Sequence, residues 1–193
     1  MTTTPIMVYA EATPNPSAMK YVCNRIITKD EKKVEYLNKE SAKGSPLALE
    51  LFQFNAIESL FFADNYVTIQ KKDGFIWGEL HTIFRAFLKG FLEEGKPTIL
   101  VYPEDVKEAI VYTEDEVELK IIEILDTYIK PAVEQDGGAI IFRHFDKESG
   151  TVTVAMQGSC SGCPSSQVTL KSGIERLLKN MVPSVQEVVA EEI

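Results

Sequence analysis

GTVTVAMQGSCSGCPSSQVTLKSGIERLLKNMVP, residues 150–183, holds a strand, a turn with two cysteines and a helix in one uninterrupted run. Residues 151–157 alternate as a strand does. Pro164 stands where a first helical residue belongs, since its missing N–H has no partner to lose there and its φ is already helical. Leu170, Ile174, Leu177, Leu178 and Met181 then fall on one helical face, and Pro183 stops the helix. Between strand and helix lies GSCSGCPSS, residues 158–166, with two of the chain's three cysteines.

The neighbouring elements follow from this run. Upstream, Thr113 and Glu116 read as a T-x-x-E capping box, and Val117, Ile121, Ile124 and Tyr128 recur at helical spacing. Pro131 ends or kinks that helix. EQDGG makes a turn at Gly137 and Gly138, and residues 139–145 form a strand that meets 151–157 as a hairpin across DKESG. SVQEVV supplies a last strand, giving the order helix, strand, strand, helix, strand. Further upstream, residues 6–10 and 20–27 are strand-like around a TPNP turn, and Ser45-Pro46 opens a helix over 47–54. IESLFFADNYVTIQ is a hairpin turning at Asp64-Asn65, and Trp77, Leu80, Phe84, Phe87, Leu88 and Phe91 line one face of a helix as core. The charge runs DEKK and Lys71-Lys72 read as solvated loops. The fold class is α+β: two small mixed domains over 1–95 and 115–193, with a linker region at 96–114. Apolar pieces at 99–102 and 110–112 mark that region as partly packed and not a free tether.

Composition bounds the function. With 20 basic and 29 acidic residues among 193, the net charge of −9 argues against nucleic acid, which requires a basic face, and more weakly against an anionic membrane surface. Residues 1–113 carry net −2 and residues 114–193 net −7, so the acidity is concentrated in the C-terminal segment. No apolar run approaches the ~18 residues of a membrane span. The opening MTTTPIMVYAEATPNPS has no signal-peptide pattern and no arginine, so the expected location is cytoplasmic, where thiols stay reduced. In that setting a Cys-x-x-Cys pair points to metal binding or catalysis and not to a structural disulfide.

Cys163 precedes Pro164 and reads as the cap of the helix. The unpartnered amides of a first helical turn, with the helix dipole, favour a thiolate there by about 0.3–1 kcal/mol, less than about one pKa unit. A metal would do more, since a ligating thiol is deprotonated outright. Gly158, Ser159, Ser161 and Gly162 are small, which predicts exposed thiolates with room for an inorganic group. Four-iron clusters and structural zinc both take four ligands. Cys23, in a strand far upstream, reads as a packing residue, and His81 and His144 read as ordinary helix and strand positions. One chain therefore offers two thiolates, Cys160 and Cys163, and a twofold axis through the site would supply four. The count predicts a metal-bridged homodimer and leaves iron and zinc both open.

The stretches ILDTYIKPAVEQDGGAI, VAMQGSCSGCPSSQVTLKSGIERLLK and VPSVQEVV resemble the C-terminal domain of NifU-like (Nfu) iron–sulfur proteins. ATPNPSAMKYV, SPLALELF and IESLFFADNYVTIQK, with the tryptophan helix, resemble the N-terminal domain that accompanies it. The resemblance implies a carrier that binds a [4Fe–4S] cluster between two subunits through Cys160 and Cys163; whether a [2Fe–2S] form is also carried stays open. It implies an upstream scaffold as donor and apo iron–sulfur proteins as recipients, ligand exchange as mechanism and no enzyme activity. The cysteines that longer nitrogen-fixation relatives use for a second cluster are absent. Two other readings stand beside it. One is a zinc-bridged structural dimer. The other is a thiol–disulfide oxidoreductase, which needs its cysteines after the first strand of a βαβ unit, where this chain is expected to place a hairpin.

Overall fold

The computed structural model describes residues 4–30, 32–103, 113, 115–161 and 164–191, with the backbone alone at 164–167. The chain divides into two compact units, Met1–Val106 and Lys107–Ile193.

In the first unit a five-stranded antiparallel sheet runs in the order β1-β2-β5-β4-β3. Its strands are β1 (Val8–Ala12), β2 (Ala18–Cys23), β3 (Lys33–Tyr36), β4 (Ile57–Ala63) and β5 (Tyr66–Lys71). β4 and β5 form the hairpin read from the sequence. Asp64 takes a φ of +41° at its turn, in the left-handed region that short polar side chains tolerate. The Asp64 carbonyl accepts from the Ile27 and Thr28 amides at 2.6 and 3.0 Å, which pins the turn to the segment after β2. The charge runs are not loops throughout: Lys33 opens β3 and Lys71 closes β5. Helix α1 (Pro46–Leu51) starts where Ser45-Pro46 predicts, and it stops three residues earlier than the expected 54. Helix α2 (Trp77–Glu93) buries Leu80, Phe84, Leu88 and Phe91, and Phe84 meets Tyr21, Phe54 and Trp77 edge-on. The start of the expected linker region belongs to this unit. The Thr98 hydroxyl donates to the Ile27 carbonyl at 2.6 Å, and the Leu100 and Val101 amides donate to the Gly44 carbonyl. The apolar piece at 110–112 lies outside the described residues.

The second unit has the predicted element order. Helix α3 (Glu116–Ile124) passes through a π-helical turn (Leu125–Ile129) into α4 (Lys130–Gln135). Strands β6 (Gly138–Asp146) and β7 (Thr151–Gly158) form the antiparallel hairpin; α5 (Pro164–Met181) follows, then β8 (Glu187–Glu191). Ile121, Ile124 and Leu125 meet Ile140, Phe142, Val152, Val154 and Val188 of the sheet and Ile174 and Leu178 of α5 in one core.

Three local expectations change. Asp115 and not Thr113 caps α3, its carboxylate accepting from the Val117 and Glu118 amides at 3.1 Å. Pro131 does not end the helix: the wider turn ahead of it absorbs the missing N–H and the ring's clash with the preceding turn. That turn also breaks the helical phase, so Tyr128 is 56% exposed and Leu125 occupies the core instead. Third, β8 pairs with β7 in parallel, in a sheet ordered β6-β7-β8. The cysteine loop therefore follows a hairpin and also opens a βαβ crossover.

A cysteine turn between strand and helix

The site begins at the end of β7. Gly158 has a φ of +65°, and Gly137, at the turn into β6, has +82°; both are conformations that favour glycine. Gly138 and Gly158 face each other in the β6–β7 register, so the two turns lie side by side at one end of the sheet. Ser159 joins them. Its hydroxyl donates to the Asp136 carbonyl at 2.6 Å and its amide to the Gly137 carbonyl at 3.2 Å, and the residue is 2% exposed. Ser161 closes the next turn, with its amide and hydroxyl both donating to the Gly158 carbonyl at 3.1 and 2.9 Å. Residues 158–161 thus form a hydrogen-bonded turn anchored on the α4–β6 corner.

Cys160 follows Ser159 and does not match the expected exposed thiolate. It is 8% exposed and packs with the second unit's core. Room for its sulfur comes from Gly138: a Cβ at that position would lie 2.7 Å from Cys160 Sγ and 2.7 Å from the Gln157 carbonyl oxygen. Small neighbours in the loop suggested exposure, but the cavity is supplied across the hairpin. Cys163 and Gly162, with the reading of Cys163 as helix cap, lie outside the described residues. The donor described is a soft thiol, chemically suited to iron or zinc.

Other candidate residues are separated from this turn. Cys23 is 1% exposed in the first unit's core, and burial pushes its thiol up to about 12, as a packing role demands. His81 is half-buried on α2 in the first unit. His144 is exposed on β6, its Nδ1 3.9 Å from Glu118 Oε1. Among the described residues no three histidine, cysteine or acidic side chains come together as a metal site. Sequence reasoning missed Gly138 and Ser159 as parts of the site. EQDGG had marked Gly138 as a turn residue, but its contact with Cys160 depends on the hairpin register.

Two families match separate parts of the chain: the NifU-like domain over residues 121–189, and the scaffold protein Nfu/NifU N terminal over 8–95. NifU-like protein 4, mitochondrial, of Arabidopsis thaliana is 37% identical over 96% of this chain and 66% of its own length. A Drosophila erecta protein named NFU1 iron-sulfur cluster scaffold homolog, mitochondrial, is 34% identical over 95% of this chain and 64% of its own length. NifU-like protein C1709.19c of Schizosaccharomyces pombe is 32% identical, over 95% of this chain and 72% of its own. The chain therefore spans about two thirds of the length of such relatives. With both domain matches in order along the chain and a cysteine-bearing turn in the second, the chain belongs to the NifU-like (Nfu) family.

Proposed function

We propose that this protein carries iron–sulfur clusters as cargo: a [4Fe–4S] cluster held between two copies of the chain by Cys160 and Cys163 of each, then passed to apo-proteins by thiolate exchange. The observation that carries the reading is the thiol-bearing turn at the β7–α5 junction of a family member, one of whose relatives is named for scaffolding such clusters. Four thiolates match the ligand demand of a four-iron cluster, and two per chain fit a twofold axis. The mechanism is ligand exchange without bond-making on an organic substrate, so the protein is a carrier and not an enzyme. A [2Fe–2S] cluster would use the same thiolates, and zinc is the substitute expected in isolated protein. The first unit offers no reactive constellation among its described residues, and its role in this reading is to dock the donor scaffold and the clients. The chemistry belongs in a reducing compartment. The cytoplasm is expected from the sequence, and two of the relatives are named as mitochondrial.

Anaerobic reconstitution with iron and sulfide tests the reading. About two irons and two sulfides per chain, on a dimer, is the expected result. The β7–α5–β8 crossover favours one rival, since it sets the cysteines after the first strand of a βαβ unit, as thiol–disulfide oxidoreductases require. A monomer without sulfide, whose two thiols cycle readily to a disulfide, would make that rival the function.

A further inference from the structure

We infer that Gly138 and Ser159 are positioning residues that hold the Cys160 thiol withdrawn in the metal-free chain, so that taking up cargo requires the turn to release it. Three observations meet at this point. Cys160 is 8% exposed and packed among core residues, whereas a ligand to an external cluster has to present its sulfur to it. The space that admits Sγ is the missing side chain of Gly138, where a Cβ would stand 2.7 Å from the sulfur. Ser159 is clasped to the α4–β6 corner by its hydroxyl on the Asp136 carbonyl at 2.6 Å and its amide on the Gly137 carbonyl at 3.2 Å. Ser159 Oγ also lies 3.8 Å from Cys160 Sγ. The clasp fixes the backbone one residue before the thiol, and Gly138 fixes the direction in which the thiol is tucked.

The arrangement has a chemical consequence. A thiol packed against apolar side chains is screened from oxidants and stray metal ions, because its reaction needs solvent access and a thiolate. Breaking the clasp opens two hydrogen bonds to water and swings one side chain outward, a local opening and not an unfolding of the unit. This inference rests on the proposed role of Cys160 as a cluster ligand. Its test uses the full metal-free chain, so a failure to carry clusters and a failure of the clasp are read separately.

The experiment is alkylation with iodoacetamide at neutral pH, with Cys160 resolved from Cys163 and Cys23 by tandem mass spectrometry. Wild-type Cys160 is expected to react about a hundredfold or more slowly than in the urea-unfolded chain, as a locally protected group does. Gly138→Ala, which overpacks the site, and Ser159→Ala, which removes the side-chain half of the clasp and leaves the Asp136 carbonyl without that donor, are each expected to raise that rate about tenfold or more. Gly173→Ala on α5, where a Cβ meets nothing within 4 Å, is the control and leaves the rate unchanged. Hydrogen exchange of the mid-hairpin amides Ile140 and Val154 is read on the same samples and is expected to stay at the wild-type level. The inference is overturned if both variants leave the Cys160 rate unchanged, or if wild-type Cys160 already reacts as in the unfolded chain. It is equally overturned if the rates rise in step with loss of amide protection at Ile140 and Val154, since the two residues would then stabilise the unit as a whole.

Discussion

Two buried cysteines in one chain differ in what surrounds each sulfur: Cys23 lies within a sheet of the first unit, Cys160 in a turn beside Gly138 in the second. Cys23 sits on an interior strand, 1% exposed, where burial penalises the thiolate and pushes its pKa up to about 12. At pH 8 its thiolate fraction is negligible, so iodoacetamide should leave Cys23 unmodified in the native chain and label it fully in urea; native labelling at a rate comparable to a peptide thiol would refute its packing role. Ser45 shows what one buried hydroxyl can hold. It caps α1 by accepting from the Ala48 amide at 3.1 Å and donates to the Thr98 carbonyl at 2.7 Å, with no exposed surface. Ser45→Ala removes the cap and leaves that carbonyl without its donor, a loss of about 1–3 kcal/mol in urea unfolding of the chain. A change below about 0.3 kcal/mol would show that water replaces the hydroxyl. The cap was legible in the sequence because Ser-Pro before an apolar run is a local signal. The burial of Cys160 was not, because the space it fills is made by a glycine on the partner strand, and register is a tertiary property.

Elements in the second unit are tied together by carboxylates. Glu175 of α5 accepts from the Lys179 ammonium at 2.7 Å and, with its other oxygen, from the Val188 amide at 3.1 Å, holding the parallel strand β8 to the helix. The Lys179 hydrogen bond and then the Val188 amide hold the Glu175 carboxyl below the usual range. Asp115 at the head of α3 is lowered in the same way, first by Lys147, which it pairs with at the β6–β7 turn, and then by the Glu118 amide. A folded-state pKa below the unfolded one contributes stability that is present above the unfolded value of about 4. That contribution is lost as pH falls through the folded value. The urea midpoint of the second unit should therefore drop as pH falls below about 4 and on through the lowered folded-state values. The drop should be shallower in Glu175→Gln and in Asp115→Asn; an identical acid slope in both variants would remove these carboxylates from the account. Asp115 also marks what the sequence resolves at this scale. The helix start was legible from Thr113 and Glu116, but Asp115, two residues further on, accepts from the Val117 and Glu118 amides and takes the cap. The π-helical turn was hidden because Pro131 signals a disturbance without saying which turn yields, and the exposure of Tyr128 follows from that choice. Parallel pairing of β8 was unreadable from SVQEVV, since a strand's direction depends on the side from which α5 returns it.

At the scale of the whole molecule, the proposed cargo binding is expected to be separate from folding. The second unit closes its core with α3, α5 and the three strands, and the apolar residues that do so need no metal to meet. Metal-dependent small domains behave differently, because their ligands supply the folding energy. The metal-free chain should thus unfold cooperatively, and a chelator should leave its circular dichroism unchanged; loss of structure on chelation would make the metal structural. The dimer has the opposite dependence. If the cluster is the joint, each chain supplies two of four ligands, and a variant lacking one removes two from the assembled site. Cys160→Ala should then fold with a urea midpoint close to wild type, bind no cluster after anaerobic reconstitution, and sediment as a monomer under conditions in which the loaded wild type is a dimer. A Cys160→Ala dimer that kept a full complement of iron and sulfide would place the ligands elsewhere. A dimer without a cluster would show that protein contacts, and not the cargo, hold the copies together. The same logic separates the units: removing Met1–Val106 should leave cluster binding intact and slow delivery to apo-proteins, since the thiols lie in the second unit and docking is assigned to the first. Transfer at the full rate to every client tested would strip the first unit of that role, and the second unit alone would then be the whole carrier.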